Sequence, residues 1–202
     1  MTQVNAALRA RLLHVLQPAY PVRTPRLNLR PFVASDTAAF NAIYTHPELV
    51  RHLACGRLDR AGVQALLACK AQRTGLTEPG QTLSLAMVLV DTGEVVGDAS
   101  LGWVRAEHDV GELVIVLHPR HQGKGYAAEA GIAILRLGFE GLDLHQVFGV
   151  CATRDIASAS LMEGLGMQPD PALREREQLE RKWPDELVYS LLALDWRSRA
   201  KM

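Results

Sequence analysis

The chain has 202 residues and a mass of 22.2 kDa, which suits one domain with a single well-buried core. Apolar residues make up 48% and charged residues 22%, a balance that excludes wholesale disorder and a collagen-like repeat. Lys+Arg and Asp+Glu number 22 each, so no global basic field exists to hold nucleic acid. The three scattered cysteines, Cys55, Cys69 and Cys151, suggest neither a disulfide framework nor a zinc site, and they suit a reducing cytoplasm. No apolar stretch is long enough for a bilayer, so no membrane partner is expected, and with no zinc-site spacing among the cysteines no metal is expected either.

Met1–Gln17 has the period of an amphipathic helix, with Val4, Leu8, Leu12, Val15 and Leu16 on one face. No acidic residue precedes Asp36, whereas Arg9, Arg11, Arg23, Arg26 and Arg30 do. A transit peptide would also be rich in serine, and the first serine is Ser35. The expectation is therefore a helical arm packed on the domain or on a second subunit. Pro18, Pro21 and Pro25 punctuate the passage from this arm (residues 1–23) to a domain over residues 24–202.

Leu27–Pro31 alternates and predicts a strand, at an edge because Pro31 cannot donate a ladder bond. Ser35 or Asp36 should cap a helix carrying Ala39, Phe40, Ile43 and Tyr44, which Pro47 interrupts. A second helix is expected over Arg60–Arg73. From Gln81 the period changes to two, Asp91–Glu94 reads as a hairpin turn, and Glu94–Val104 returns as a strand. Arg105–Asp109 connects to a third strand of this meander, Val110–Leu117. A helix to about Glu140 follows, with the small residues Ala127, Ala130, Gly131 and Gly138 on its inner face. Leu144–Ala152 is the next strand, so strand, helix and strand imply a right-handed crossover and a parallel pair. A helix from near Asp155 to Gly164 or Gly166 and a last strand, Glu186–Leu194, complete the pattern. Between them, Arg174–Lys182 is dense in both signs of charge, as a solvated loop or helix face would be.

Arg120-x-x-Gly123-x-Gly125 lies between a predicted strand and a helix N-terminus. Glycines let backbone approach a ligand, the helix start directs unpaired N–H groups at it, and Arg120 and Lys124 add charge, so a diphosphate fits. Gly123-x-Gly125-x-x-Ala128 also satisfies the dinucleotide fingerprint, but three antiparallel strands precede it and Asp155 opens a helix where that fold needs an acidic strand end.

These residues resemble the GNAT acetyltransferase superfamily, and within it the branch that acetylates ribosomal-protein N-termini. The superfamily loop is Arg/Gln-x-x-Gly-x-Gly/Ala, matched by Arg120, Gly123 and Gly125. The string Gly125-Tyr126-Ala127-Ala128-Glu129-Ala130 is typical of the branch. Asp155-Ile156-Ala157-Ser158, with Gly164-Leu165-Gly166-Met167 downstream, resembles a motif that opens Asn-x-x-Ser and ends Lys-x-Gly-Phe. Asp, Gly164 and Met167 are the departures. Thr24–Arg30 resembles the opening strand and Trp183–Leu192 the closing one. Glu112-Leu113-Val114-Ile115 departs from the Glu-Ile-Gly-Tyr common in the branch, which argues against assuming a ribosomal protein as acceptor.

The resemblance implies an α+β GNAT fold, in which a mixed, strongly twisted sheet flanked by helices has two splayed central parallel strands, here Val110–Leu117 and Leu144–Ala152. It implies acetyl-CoA as co-substrate and direct acetyl transfer to a primary amine, on a small molecule or a peptide N-terminus. The cofactor-binding residues it implies are Leu117 and His118 for pantetheine, then Arg120, Gln122, Gly123, Lys124, Gly125, Tyr126 and Ala127 for pyrophosphate. Asp155 stands where the family asparagine meets the pantetheine arm, and could equally be a helix cap. Ser158 is the candidate donor to the departing thiolate, with a helix cap as its other reading, since Met162 occupies the place of the usual tyrosine acid. Glu112 is the candidate base, followed by His118 and then His52 and His46. A catalytically weak CoA-binding module is the alternative function, and a homodimer is compatible with the arm.

Overall fold

The computed structural model describes residues 15–51, 56–105, 109–174 and 186–199. Residues 1–14 of the arm, His52, Cys55, most of the 105–109 connection, the charged stretch after Arg174, Trp183 and Asp185 lie outside the described residues.

The strands are β1 (Val22–Arg23), β2 (Leu27–Pro31), β3 (Thr82–Leu89), β4 (Val95–Arg105), β5 (Val110–Leu117), β6 (Gln146–Ala152), β7 (Gln168–Pro169) and β8 (Glu186–Leu192). They form one sheet in the order β1-β2-β3-β4-β5-β6-β8-β7. Every pairing is antiparallel except β5 with β6. The α-helices with both ends described are α1 (Thr37–Tyr44), α2 (Pro47–Val50), α3 (Arg60–Ala71), α4 (Tyr126–Arg136), α5 (Ile156–Gly164) and α6 (Ala193–Arg199).

The strand period sorts side chains to two faces. Leu113, Leu117, Leu85 and Leu101 join α4 residues Ala130, Ile134 and Leu135 in the larger core. Ala86, Val88 and Val116 face the other way, against Phe40, Ile43 and Tyr44 of α1 and Val63 and Leu67 of α3. The small residues of α4 allow its close approach: a Cβ at Gly131 would stand 2.7 Å from Leu165 Cδ1 and 3.3 Å from Ile115 Cδ1.

The meander, the parallel pair and the flanking helices match the sequence expectation, and four elements differ. First, β2 is not the outermost strand: β1 pairs with Asn28 and Leu29. It leaves Pro31 uncovered on that side, so the proline still sits where no ladder donor is needed. Second, the long helix ends as α at Arg136 and continues as one π-helical turn, Leu137–Gly141. Third, the last strand stops at Leu192 rather than Leu194, and α6 begins at once, its Trp196 stacking on Phe139 at 5.6 Å. Fourth, a 3-10 turn, Ala34–Asp36, precedes α1, and Asp36 turns back to Arg30 (2.8 Å) and the Val33 amide (2.9 Å) instead of capping α1.

Residues just before β1 also belong to the packed structure. The helix expected over Met1–Gln17 does not extend through its described end: Leu16 forms an isolated antiparallel bridge with Leu76, is buried and joins the larger core, whereas Val15 is exposed.

Candidate functional site

The strands β5 and β6 pair at only three positions, Val110–Gln146, Gly111–Val147 and Glu112–Phe148. Beyond them β5 runs on to Leu117 with no ladder partner on that side among the described residues, so its edge borders a fork. Glu112 occupies the last paired position. Its cross-strand neighbour on β4 is Gly102, which keeps the space beside it clear of a side chain. By alternation Glu112 shares its face with Val114, which is 45% exposed, and lies opposite the α4-packed Leu113 and Ile115.

At the far end of β5, Leu117 is buried and its carbonyl accepts from Gln122 Nε2 at 3.2 Å. His118 opens a 3-10 turn, Pro119–His121, and its Nδ1 accepts from the Arg120 amide at 3.3 Å. The chain then passes through Gly123 and Gly125, with φ of +71° and +81°, values that favour glycine. A Cβ on Gly123 would meet nothing within 4 Å. Gly125 is the N-cap of α4 and supplies no side-chain acceptor, so the first amides of α4 lack the usual cap. Arg120, Gln122 and Lys124 around it are exposed. This cradle suits an anion of pyrophosphate kind: open glycine backbone and uncapped helix amides, with the exposed cations Arg120 and Lys124 adjacent in the chain.

The loop is anchored from the opposite end of the sheet. Glu129, in the first turn of α4, accepts from Thr24 Oγ1 (2.5 Å), the Arg26 amide (2.7 Å) and Arg26 Nε (2.7 Å). Arg26 also donates to the Lys124 carbonyl at 2.8 Å, and its guanidinium lies 4.8 Å from the centre of the Tyr126 ring. Burial alone would raise the Glu129 pKa, but the bonds from Thr24 and Arg26 outweigh it and hold the carboxyl below its ordinary value. Ala127, on the same first turn, packs against the larger core.

On the other wall, Asp155 is the N-cap of α5. Its Oδ1 accepts from the Ser158 amide (3.1 Å) and its Oδ2 from Ser158 Oγ (2.8 Å). Asp155 thus has the capping role, and the Ser158 hydroxyl donates to it here. Cys151 lies nearby at the end of β6. Burial, with Asp155 and Glu186 adding to it, pushes its thiol up to about 11.

Two arrangements had no counterpart in the sequence reading. His46, N-cap of α2, meets His118 edge to face with ring centres 5.2 Å apart, and His121 stands 6.1 Å from His118. Between α1, α3 and the sheet lies a buried polar ring: Asp98 Oδ2 accepts from Tyr44 (2.6 Å) and Lys70 (2.7 Å), and Oδ1 from Ser100 (2.9 Å). Ser84 closes it, 3.1 Å from Ser100 and 3.5 Å from Lys70. Among the described residues no group of three or more His, Cys, Asp or Glu could hold a metal ion, and no helix is long and apolar enough to cross a membrane.

Residues 26–168 match the family model described as Acetyltransferase (GNAT) domain. The chain is 25% identical over 175 residues to the "Uncharacterized N-acetyltransferase YnaD" of Bacillus subtilis, covering 87% of this chain and 98% of that one. Its backbone is similar to that of a GNAT-family acetyltransferase from Bacillus anthracis, with a TM-score of 0.72, 22% identity, and 85% and 97% of the two chains covered. An acetyltransferase from Agrobacterium tumefaciens gives 0.69, 26% identity, and 86% and 95%.

Proposed function

The chain belongs to the GNAT acetyltransferase family and is an N-acetyltransferase, and we propose that it moves the acetyl group of acetyl-CoA directly to a primary amine in a ternary complex. The observation that carries this reading is the glycine cradle at the uncapped start of α4, beside a β5 edge left free by the fork. Residues 24–202 form the catalytic unit in this reading, and β1, just before them, extends its sheet.

Acetyl-CoA supplies the thioester that the amine attacks. The free edge of β5 near Leu117 and His118 pairs with the amides of the pantetheine arm. The loop Arg120–Ala127 holds the pyrophosphate on backbone N–H groups, with Arg120 and Lys124 balancing its charge. Glu112, at the apex of the fork, draws an ammonium group in and accepts its proton, directly or through water, so that a lone pair is available. Ser158 turns its hydroxyl from Asp155 to the sulfur as negative charge builds there. The acceptor is a small-molecule amine or a peptide N-terminus.

A thiol-release screen with acetyl-CoA against small amines and N-terminal peptides tests the reading. Turnover with any primary amine supports it. Acetyl-CoA binding with no transfer across the panel would replace it with a CoA-binding module, and no binding at all would remove both.

A further inference from the structure

The dipeptide His-Pro occurs at two helix starts, His46-Pro47 and His118-Pro119. In both, the histidine backbone is extended, with ψ of 126° and 133°, as a residue before proline prefers, and the proline fills the first helical position. In both, Nδ1 accepts from an amide two residues on: Glu48 N to His46 and Arg120 N to His118, each at 3.3 Å. The two caps then meet ring to ring at 5.2 Å.

We propose that His118 is a positioning residue for the acetyl-CoA loop: its neutral ring caps the Arg120 amide, and protonating it releases that cap and loosens the loop that holds the pyrophosphate. An Nδ1 that accepts a hydrogen bond carries no proton, so the neutral ring keeps its proton on Nε2. Imidazolium has donors at both nitrogens and cannot cap. In the capping tautomer Nε2 is a donor and offers no lone pair to a proton.

The charged and titratable groups around the ring are His46 from α2, Arg120 and His121 from its own turn, and Glu94 from the end of the β3–β4 turn. Burial, His46, His121 and Arg120 disfavour imidazolium, and Glu94, which also meets His121 at 3.2 Å, opposes them more weakly. The net effect lowers the His118 pKa, so the cap is intact near neutrality and is lost as pH falls below the ordinary histidine value. A positive ring near a phosphate would by itself tighten binding. The sign of the pH effect on affinity therefore separates a capping His118 from one that acts only as a charge.

The test uses the full chain. Without ligand, the Arg120 amide resonance is followed by two-dimensional NMR from about pH 8 to about pH 5, alongside the His118 ring signals. The amide is expected to move with the His118 titration, and that movement is expected to vanish in His118→Asn, whose side chain caps without titrating. By calorimetry, wild-type affinity for acetyl-CoA should fall about fivefold more than that of His118→Asn over this range, or ~1 kcal/mol at 1.4 kcal/mol per tenfold. The asparagine variant subtracts the titration of the ligand phosphates. An Arg120 amide that ignores the His118 titration overturns the proposal, as does wild-type binding that parallels or tightens against the variant. The affinity arm rests on the acetyltransferase reading and the NMR arm does not. Failure to bind acetyl-CoA would therefore sink the former while the cap is still decided.

Discussion

Removing the Glu129 carboxylate should weaken the fold and the acetyl-CoA site together. This side chain is 12% exposed and accepts three hydrogen bonds, two of them from Arg26. Glu129→Ala leaves the part-buried Thr24 hydroxyl and the Arg26 amide to find other acceptors, and frees a guanidinium that otherwise fastens the Lys124 carbonyl and covers Tyr126. Bonds to a charged group contribute roughly 1.5–3 kcal/mol each, but bonds sharing one carboxylate are not additive and Arg26 is half exposed. About 3 kcal/mol is the expected loss, a fall in melting temperature of about 6–12 °C at this chain length. Glu129→Gln keeps one oxygen for Thr24 and the Arg26 amide and should lose about 1 kcal/mol. The pH dependence has a definite sign: a carboxyl held below its ordinary value stabilises the fold above that value, 4.5, and the contribution fades as pH falls through the lowered one. Urea titrations at neutral and acid pH, with calorimetry of acetyl-CoA binding, measure all of this. Binding should weaken in Glu129→Ala by more than threefold, because the Lys124 carbonyl and Tyr126 lose their anchor. A Glu129→Ala variant with wild-type stability and affinity would show that the anchor holds nothing.

Three other outcomes are expected. Gly123→Glu places a carboxylate in open space at φ +71°, where the phosphates are proposed to lie, and calorimetry should show at least a tenfold loss of acetyl-CoA affinity, about 1.4 kcal/mol. Asp98→Ala leaves the Lys70 ammonium, 12% exposed, without its counter-charge, and denaturation should report a loss of about 3–5 kcal/mol, relieved in part by Lys70→Met in the same chain. At about pH 8 a thiol reagent should label exposed Cys69 and spare buried Cys151, whose thiol sits at about 11; peptide mapping that finds both labelled in the folded protein would contradict that burial.

The limits of β2 and β5 could be read from sequence because alternation ends at hard punctuation, Pro31 in one case and His118-Pro119 in the other. The glycine loop was legible for a similar reason, since every part of it lies within a few residues. Other elements carried no local signal. Two residues, as in β1 or β7, are too short for a period, and their pairing is decided by the strand beside them. The start of α6 falls inside the unbroken run Leu191-Leu192-Ala193-Leu194, and the turn into a helix is fixed by Trp196 reaching Phe139 across the fold. The site divides the same way. Gly123 and Gly125 declare themselves, whereas Glu129 meets Thr24 across 105 residues and Asp98 meets Tyr44 across 54. Both members of the first pair stand in strings that carry the family resemblance, but neither string says that they touch. The histidines show the boundary most plainly. Each His-Pro is readable alone as a helix start, but neither dipeptide tells that the two caps meet at 5.2 Å, nor that burial, followed by His46 and the other neighbouring charges, lowers the His118 pKa.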